Sequence, residues 1–569
     1  LRPVLNHISK QRLKHTFKHA FKHTIKHDLK HTFKRTLQPS RMQAAHQNPT
    51  ASQDRLNFPL CGSLFVKIAG LSGVQWLGIC ATVIGGISVN PSATIAASSH
   101  PSGLTCQISA AEVAAKADLL QAIQDGDTTA ATEYRDLVRR HAREQAECRQ
   151  GSWPRNRAIW LNLYPCDTKF GQIDQIFDQI ANDGYNQIYL ATLANGQVLL
   201  PSDDNPTPWP SVARTPATAS IDLLANAITA GRARGIEVHA WMFALNYGYA
   251  YGQRADRQTA LARNGRGQTT LDHSVADTNN ADGIFVDPYS PIVRQDYQRL
   301  LEEVLERDPF GVVLDYVRYP KLSGSDSVAD EIRDLWVYGS ASRSALLDRA
   351  QTPTARSQLE TYLETGQVPT TPTPQPTITP GVGSVARTPA GTPPSTSNPP
   401  LQQTDTPAIS LQQEFWNLSV AHAAQGVIDF VNLAAAPIQA QRRPVGAAFF
   451  PKGNLAIGNG FDSRLQPWDK FPTSIVWHPM LYGGCNGTSC VLDDLERVRQ
   501  FAPPGVTIVP ALAGTWGETS QDRHPPLENQ MRAIAQVASD PRGNINAVSH
   551  FSFGWQYPEL DRDRKFCQP

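Results

Sequence analysis

Eight short apolar runs, separated for the most part by segments of helical period, constrain this chain more than any other feature. They are "AIWLNLY" from Ala158, "NQIYLATL" from Asn186, "IEVHAWMF" from Ile236, "GVVLDYV" from Gly311, "VGAAFF" from Val445, "SIVWHPM" from Ser474, "VTIVPAL" from Val506 and "AVSHFSFGW" from Ala547. Unbroken apolarity over five to eight residues reads as strands buried on both faces. Between most of them lie amphipathic stretches such as "FGQIDQIFDQIAND", "SIDLLANAITAGRARG" and "PIVRQDYQRLLEEVLERD". Strands of this kind joined by helices make a parallel sheet, and eight of them predict an α/β fold closed into a (β/α)8 TIM barrel. Little chain follows the last strand. The helical hairpin expected from Ala110 to Arg149, broken at "QDGDTT", is therefore placed over the gap left by a missing eighth helix.

The flanks divide the chain further. Residues 1–42 carry a four-residue repeat, "KHTFKHAFKHTIKHDLKHTFKRTL", with eleven Lys and Arg against one Asp. The net +10 there leaves −9 for the remainder of a chain whose total is +1. An acidic body argues against nucleic acid as the partner. The repeat resembles a membrane-surface helix, but the start at Leu1 favours a translation begun upstream of Met42. Within residues 43–96, Ile68 to Val89 is uncharged and is followed by "SATIAASS". Its length permits a membrane anchor; the small-residue tail favours a cleaved export signal. The hairpin then occupies 97–154, the first four barrel strands 155–366, and the last four with the tail 411–569. Residues 367–410, rich in Pro, Thr and Ser, bury too little apolar surface to offset ordering and are expected to be a disordered insertion in the fourth strand-to-helix loop.

Cysteines support export. Cutting near Ala96 leaves six: Cys485 and Cys490 bracket a short loop, Cys106 and Cys148 flank the hairpin, and Cys166 is placed to tie the first loop to Cys567 in the tail. Disulfides are favoured over a metal site, since no CxxC or HxxxH spacing occurs, and no cofactor is expected. "GGCNG" and "GIGNG" lack the strand-to-helix context of a phosphate-binding loop.

Chemistry is sought where barrel strands end. The fourth run ends in "DYVRYP", and a buried carboxylate and guanidinium are costly unless paired or used. Asp315 at that exit can serve as nucleophile, general acid or electrostatic partner of an oxocarbenium ion. Arg318 can hold it ionised or clamp a substrate oxygen, and Tyr316 and Tyr319 offer faces for sugar rings. Pairing of Asp315 with Arg318 for structure alone is the competing reading.

"DYVRYP" together with "RGIEVHAWM" (Arg234 to Met242), "VDPYSPIVRQ" (Val286 to Gln295) and "HPMLY" (His478 to Tyr482) resembles the family-10-like glycosyl hydrolases, a bacterial group of (β/α)8 barrels with an Asp-Tyr-Ile-Arg-Tyr-Pro hallmark. The resemblance spans roughly Arg157 to Tyr557. It implies Asp315 as the catalytic carboxylate, with Arg318, Tyr319, His239, Trp241, Asp287, Arg294, His478 and Tyr482 in or beside the site. His239 and Trp241 share one strand face, the first as a donor to a sugar hydroxyl or to Asp315, the second as a stacking platform. Helix capping competes for Asp287, and Arg294 is expected to tie that helix to the mouth. Trp555 lies at the exit of the last strand, as does Glu559, the second carboxylate on geometry. Asp167, Asp203 and Asp204 are further candidates. Asn195 and Gly196 after the second strand, and the absence of an Arg near Asn417, depart from the family pattern.

These readings converge on an exported glycoside hydrolase-like barrel, acting on a polysaccharide or peptidoglycan of the cell envelope or extracellular matrix and meeting membrane only through its N-terminal apolar segment. The rivals are a catalytically silent carbohydrate-binding barrel, and a metal-dependent polysaccharide deacetylase for which His239, Asp315 and His478 are too few and too scattered.

Overall fold

The computed structural model describes residues 106–273, 283–369, 410–540, 542 and 545–567. The basic repeat, the apolar N-terminal segment and nearly all of the Pro/Thr-rich insertion lie outside them.

The eight expected strands form as β1 (Asn156–Leu161), β2 (Gln187–Ala194), β3 (Glu237–Phe243), β4 (Gly311–Asp315), β5 (Val445–Phe449), β6 (Val476–Leu481), β7 (Ala511–Ala513) and β8 (Ala547–Phe551). Each pairs in parallel with the next, and β8 pairs with β1, so the sheet closes. The register sets Trp241 beside Val313 and Phe243 beside Asp315.

Closure divides the apolar side chains in two. Alternate residues fill the barrel, Trp160, Tyr189, Trp241, Val313, Ala448 and Met480 among them. The other set faces the surrounding helices. Lower in the barrel, Tyr189 packs edge-on to both His239 and His478, at 5.3 and 5.2 Å between ring centroids. The two imidazoles stand where β4 and β5 carry Gly311 and Gly446; a Cβ at either position would collide with a histidine ring.

The helical hairpin consists of α1 (Ala110–Gln124) and α2 (Ala130–Gln150). Helices α3 (Gln172–Asn182), α4 (Leu223–Ala233), α5 (Pro291–Glu306) and α6 (Leu411–Ala440) follow the first four strands. After β6, β7 and β8 come α7 (Ser489–Phe501), α8 (Leu527–Val537) and α9 (Pro558–Phe566). No α-helix lies between β5 and β6. Side-chain caps set several starts: Ser109 Oγ accepts from Glu112 N, Asp222 Oδ1 from Ala225 N and Ser410 Oγ from Gln413 N.

The hairpin does not cover the end of the sheet after β8, as the sequence suggested. It packs on α3 and α4 through a buried polar cluster. Asp178 accepts from Arg234 Nε at 2.8 Å and from the Tyr134 hydroxyl at 2.6 Å, and Lys116 Nζ lies 3.5 Å away. Lys116 donates its own short bond to Asn182. These groups are nearly fully buried, so the charges fix the docking site by needing one another. The position after β8 is taken by α9, whose Arg564 forms a two-point pair with Asp167 in the first loop. The Cys166–Cys567 disulfide closes the same contact, and Cys106–Cys148 and Cys485–Cys490 also form, all three as the spacing suggested.

The long β4-to-α6 connection carries two short helices, Ser340–Leu347 and Pro353–Thr365, and contains the insertion. Gln412, in the first turn of α6, donates to Gly366 O and accepts from Val368 N. The chain therefore leaves and rejoins the barrel at one point.

Candidate active site

Strand β4 is buried throughout and stops at Asp315 because Tyr316 takes a left-handed backbone (φ 51°). That reversal breaks the strand's alternation. It turns Tyr316 and Arg318 toward the C-terminal mouth and sends Tyr319 outward, its hydroxyl donating to Ala423 O on α6.

The mouth encloses a cavity of about 300 Å³. Asp315 is the one carboxylate among its described lining residues. Its Oδ1 accepts the Tyr316 backbone N–H at 2.6 Å and its Oδ2 the Trp241 indole N–H at 3.1 Å. Burial pushes the Asp315 carboxyl above its ordinary range; the Tyr316 N–H, the Arg318 charge and the Trp241 indole oppose this without cancelling it. Rings form the walls. Trp160 and Trp241 meet edge-on at 4.8 Å, Phe243 and Tyr316 lie 4.4 Å apart, and Tyr482 packs against Phe551 at 5.7 Å. Burial and the nearby Asp315 charge keep the Tyr482 phenol protonated. Asn195 and Met480 complete much of the rest of the lining. An acid held partly toward its neutral form among ring faces can protonate a leaving oxygen or stabilise a developing cation.

The structure thus brings together Asp315, Tyr316, Arg318, Trp241 and Tyr482, and it leaves the other expected residues elsewhere. His239 and His478 line a different, larger cavity of about 520 Å³ at the N-terminal mouth. Two residues along a strand keep a side chain on the same face but displace it by about 6.6 Å, which drops His239 from the Trp241 level to the one beneath. Burial brings both imidazoles down to about 3, so they are neutral and far from donating to Asp315. Glu559 is exposed in the first turn of α9 and does not line the cavity. Trp555 packs on Phe551 from outside.

Asp287 does not cap α5, whose N-cap is Ser290. It accepts from Tyr289 N and Ser342 N, holding the start of Ser340–Leu347 to the β3 loop. Arg294 bonds Pro288 O in that same loop. Asp167 is bound to Arg564; Asp203 and Asp204 are exposed on a surface turn; Asn417 is exposed on α6. Trp160, Phe243, Phe450 and Phe551 belong to the site and were not singled out from sequence. Their inward parity on strands ending at the mouth was the available signal.

No family model matches this chain, and no curated protein matches it in sequence. Similar solved structures include a GH18 chitinase from Pseudoalteromonas aurantia at 9% identity, covering 70% of this chain and 94% of that one with a TM-score of 0.31. A β-galactosidase from Marinomonas ef1 matches at 10% identity, covering 70% of this chain and 54% of its own, TM-score 0.41. A GH20 exo-β-N-acetylglucosaminidase from Vibrio harveyi matches at 12%, covering 70% and 50%, TM-score 0.33. This chain thus spans about half the length of the last two. At such identities and scores the likeness reaches no further than the barrel.

Proposed function

We propose that this chain is an exported glycosidase-like barrel that binds a glycan at its C-terminal mouth and cleaves it with Asp315 as acid. The observation that carries the reading is the placement of one buried carboxylate, raised toward its protonated form, in the lining of a cavity shared with Trp160, Trp241, Tyr316, Phe450 and Tyr482. Flat apolar walls with a few convergent polar groups suit sugar rings, whose faces are apolar and whose edges are polar. Asp315 protonates the departing glycosidic oxygen as its bond to the anomeric carbon breaks, its conjugate base stabilises the oxocarbenium ion that remains, and water adds to that ion and returns a proton to Asp315. The family-10-like resemblance rests on the same "DYVRYP" stretch. Three disulfides are compatible with an oxidising compartment and support export.

A second reading is favoured by one observation: no second carboxylate stands among the described residues lining the cavity, and hydrolysis ordinarily uses two. On that reading the barrel holds a glycan without cutting it. The two separate when the purified full chain and its Asp315→Asn variant are incubated with envelope polysaccharides and peptidoglycan and reducing ends are counted. Release by the parent that vanishes in a folded variant supports hydrolysis. Binding by both proteins with no release supports the silent barrel.

A further inference from the structure

Arg318 is 5% exposed and lines the mouth cavity, yet it forms no ion pair with any described residue. Its Nη1 donates to Tyr319 O at 3.0 Å. Nε is buried without a partner, and Nη2 makes no hydrogen bond. Around it stand the ring faces of Tyr316 at 4.5 Å and of Phe285 and Phe450 at 5.7 Å each. The acids within electrostatic reach are engaged elsewhere: Asp315 by Trp241 and Tyr316, Asp462 by both arms of Arg464, with contacts of 2.7 Å.

A guanidinium cannot shed its proton to escape burial, and π faces replace only part of its lost hydration. A buried cation left this way lacks an anion. Of the two unused donors Nε is closed off from the cavity and Nη2 is not, so an anion entering the mouth is met by a charge-assisted N–H···O bond from Nη2. Resting on the glycan reading above, we infer that the sugar held in the cavity carries a carboxylate, as a uronic acid does, and that Arg318 is the residue that selects it. A neutral sugar in the same place would leave the buried cation without a counter-charge at Nη2, and a site with an unsatisfied buried group discriminates strongly against the ligand that fails to satisfy it.

The test compares matched ligands on the full chain by calorimetry: methyl glucuronide against methyl glucoside and methyl galacturonide against methyl galactoside, in both anomers, with galactose 6-sulfate alongside. One uronide is expected to bind at least tenfold more tightly than its neutral partner and than the sulfate ester. In Arg318→Gln that ratio falls to near one, and in Arg318→Lys, which keeps the charge but does not place a donor where Nη2 stands, it falls at least threefold. Should the variants not fold, the parent's own uronide-to-neutral ratio decides. Equal or tighter binding of the neutral sugars or the sulfate ester overturns the carboxylate assignment and leaves the glycan reading standing. Failure of every sugar to bind overturns both.

Discussion

The indole N–H of Trp241 points at Oδ2 of Asp315 across 3.1 Å, so β3 and β4 each contribute one half of the contact that defines the mouth. A donor of this kind favours the ionised carboxylate. In Trp241→Phe the Asp315 pKa rises further. The alkaline limb of the pH–rate profile, where the acid is lost, should therefore move to higher pH while the acidic limb stays. A pH series of kcat/KM on any cleaved glycan reads this directly; an unmoved alkaline limb would remove Asp315 as the acid.

Replacing Asp315 with Asn removes the proton donor, and turnover should drop by roughly 10²–10⁴-fold. Stability moves the other way. The folded Asp315 pKa lies above its unfolded value, so the parent is most stable with the acid protonated and loses that contribution as pH rises through the folded pKa. The variant should melt as high as the parent or higher at pH 7, with the difference shrinking toward pH 4.

Asp287 offers a second pH signature away from the site. Burial raises it to about 6, against two backbone N–H groups that pull it down. Because folded exceeds unfolded, its contribution is complete below pH 4 and fades as pH climbs past 6, a swing on the order of 3 kcal/mol. Asp287→Asn loses one backbone acceptor. Its penalty should be largest at pH 4–5 and smallest at pH 7–8, as measured by chemical denaturation across that range.

The hairpin dock should break at Asp178. Asp178→Ala leaves buried Lys116 without an ion pair and takes from Arg234 one of its two carboxylates, Asp174 remaining, and breaking a buried pair in this way typically costs about 3–5 kcal/mol. Denaturation midpoints should fall accordingly, whereas Glu360→Ala, at an exposed i,i+4 pair with Arg356 within one helix, should shift stability by less than about 0.5 kcal/mol.

The barrel was legible because double-sided burial writes itself as unbroken apolar runs, and Asp315 because charge at the end of such a run is anomalous. Parity beyond the strand was not legible. The left-handed Tyr316 shifts which side chains face inward, so Tyr319 reads as a mouth residue and packs on α6 instead. Depth was also hidden: His239 and Trp241 share a face, but the closed sheet stacks them at different levels. Phe450 and Phe551 read as ordinary core, since an aromatic at a strand exit looks the same whether it meets a helix or a cavity. The hairpin's dock on α3 and α4 depends on polar pairs scattered between positions 116 and 234, which no local pattern announces.

The clasp at Gln412 and the Cys166–Cys567 bond together give the chain an unusual connectivity. The half-barrel of β1–β4 is joined to that of β5–β8 twice, once by polypeptide through residues 370–409 and once by sulfur across 401 positions. A cut anywhere in that segment leaves one covalent molecule, its strand order intact and its mouth still drawing Asp315 from one half and Tyr482 from the other. Only a reductant would then divide it, so the protein behaves topologically as a ring that can be opened at its fourth loop and remain closed at its ends.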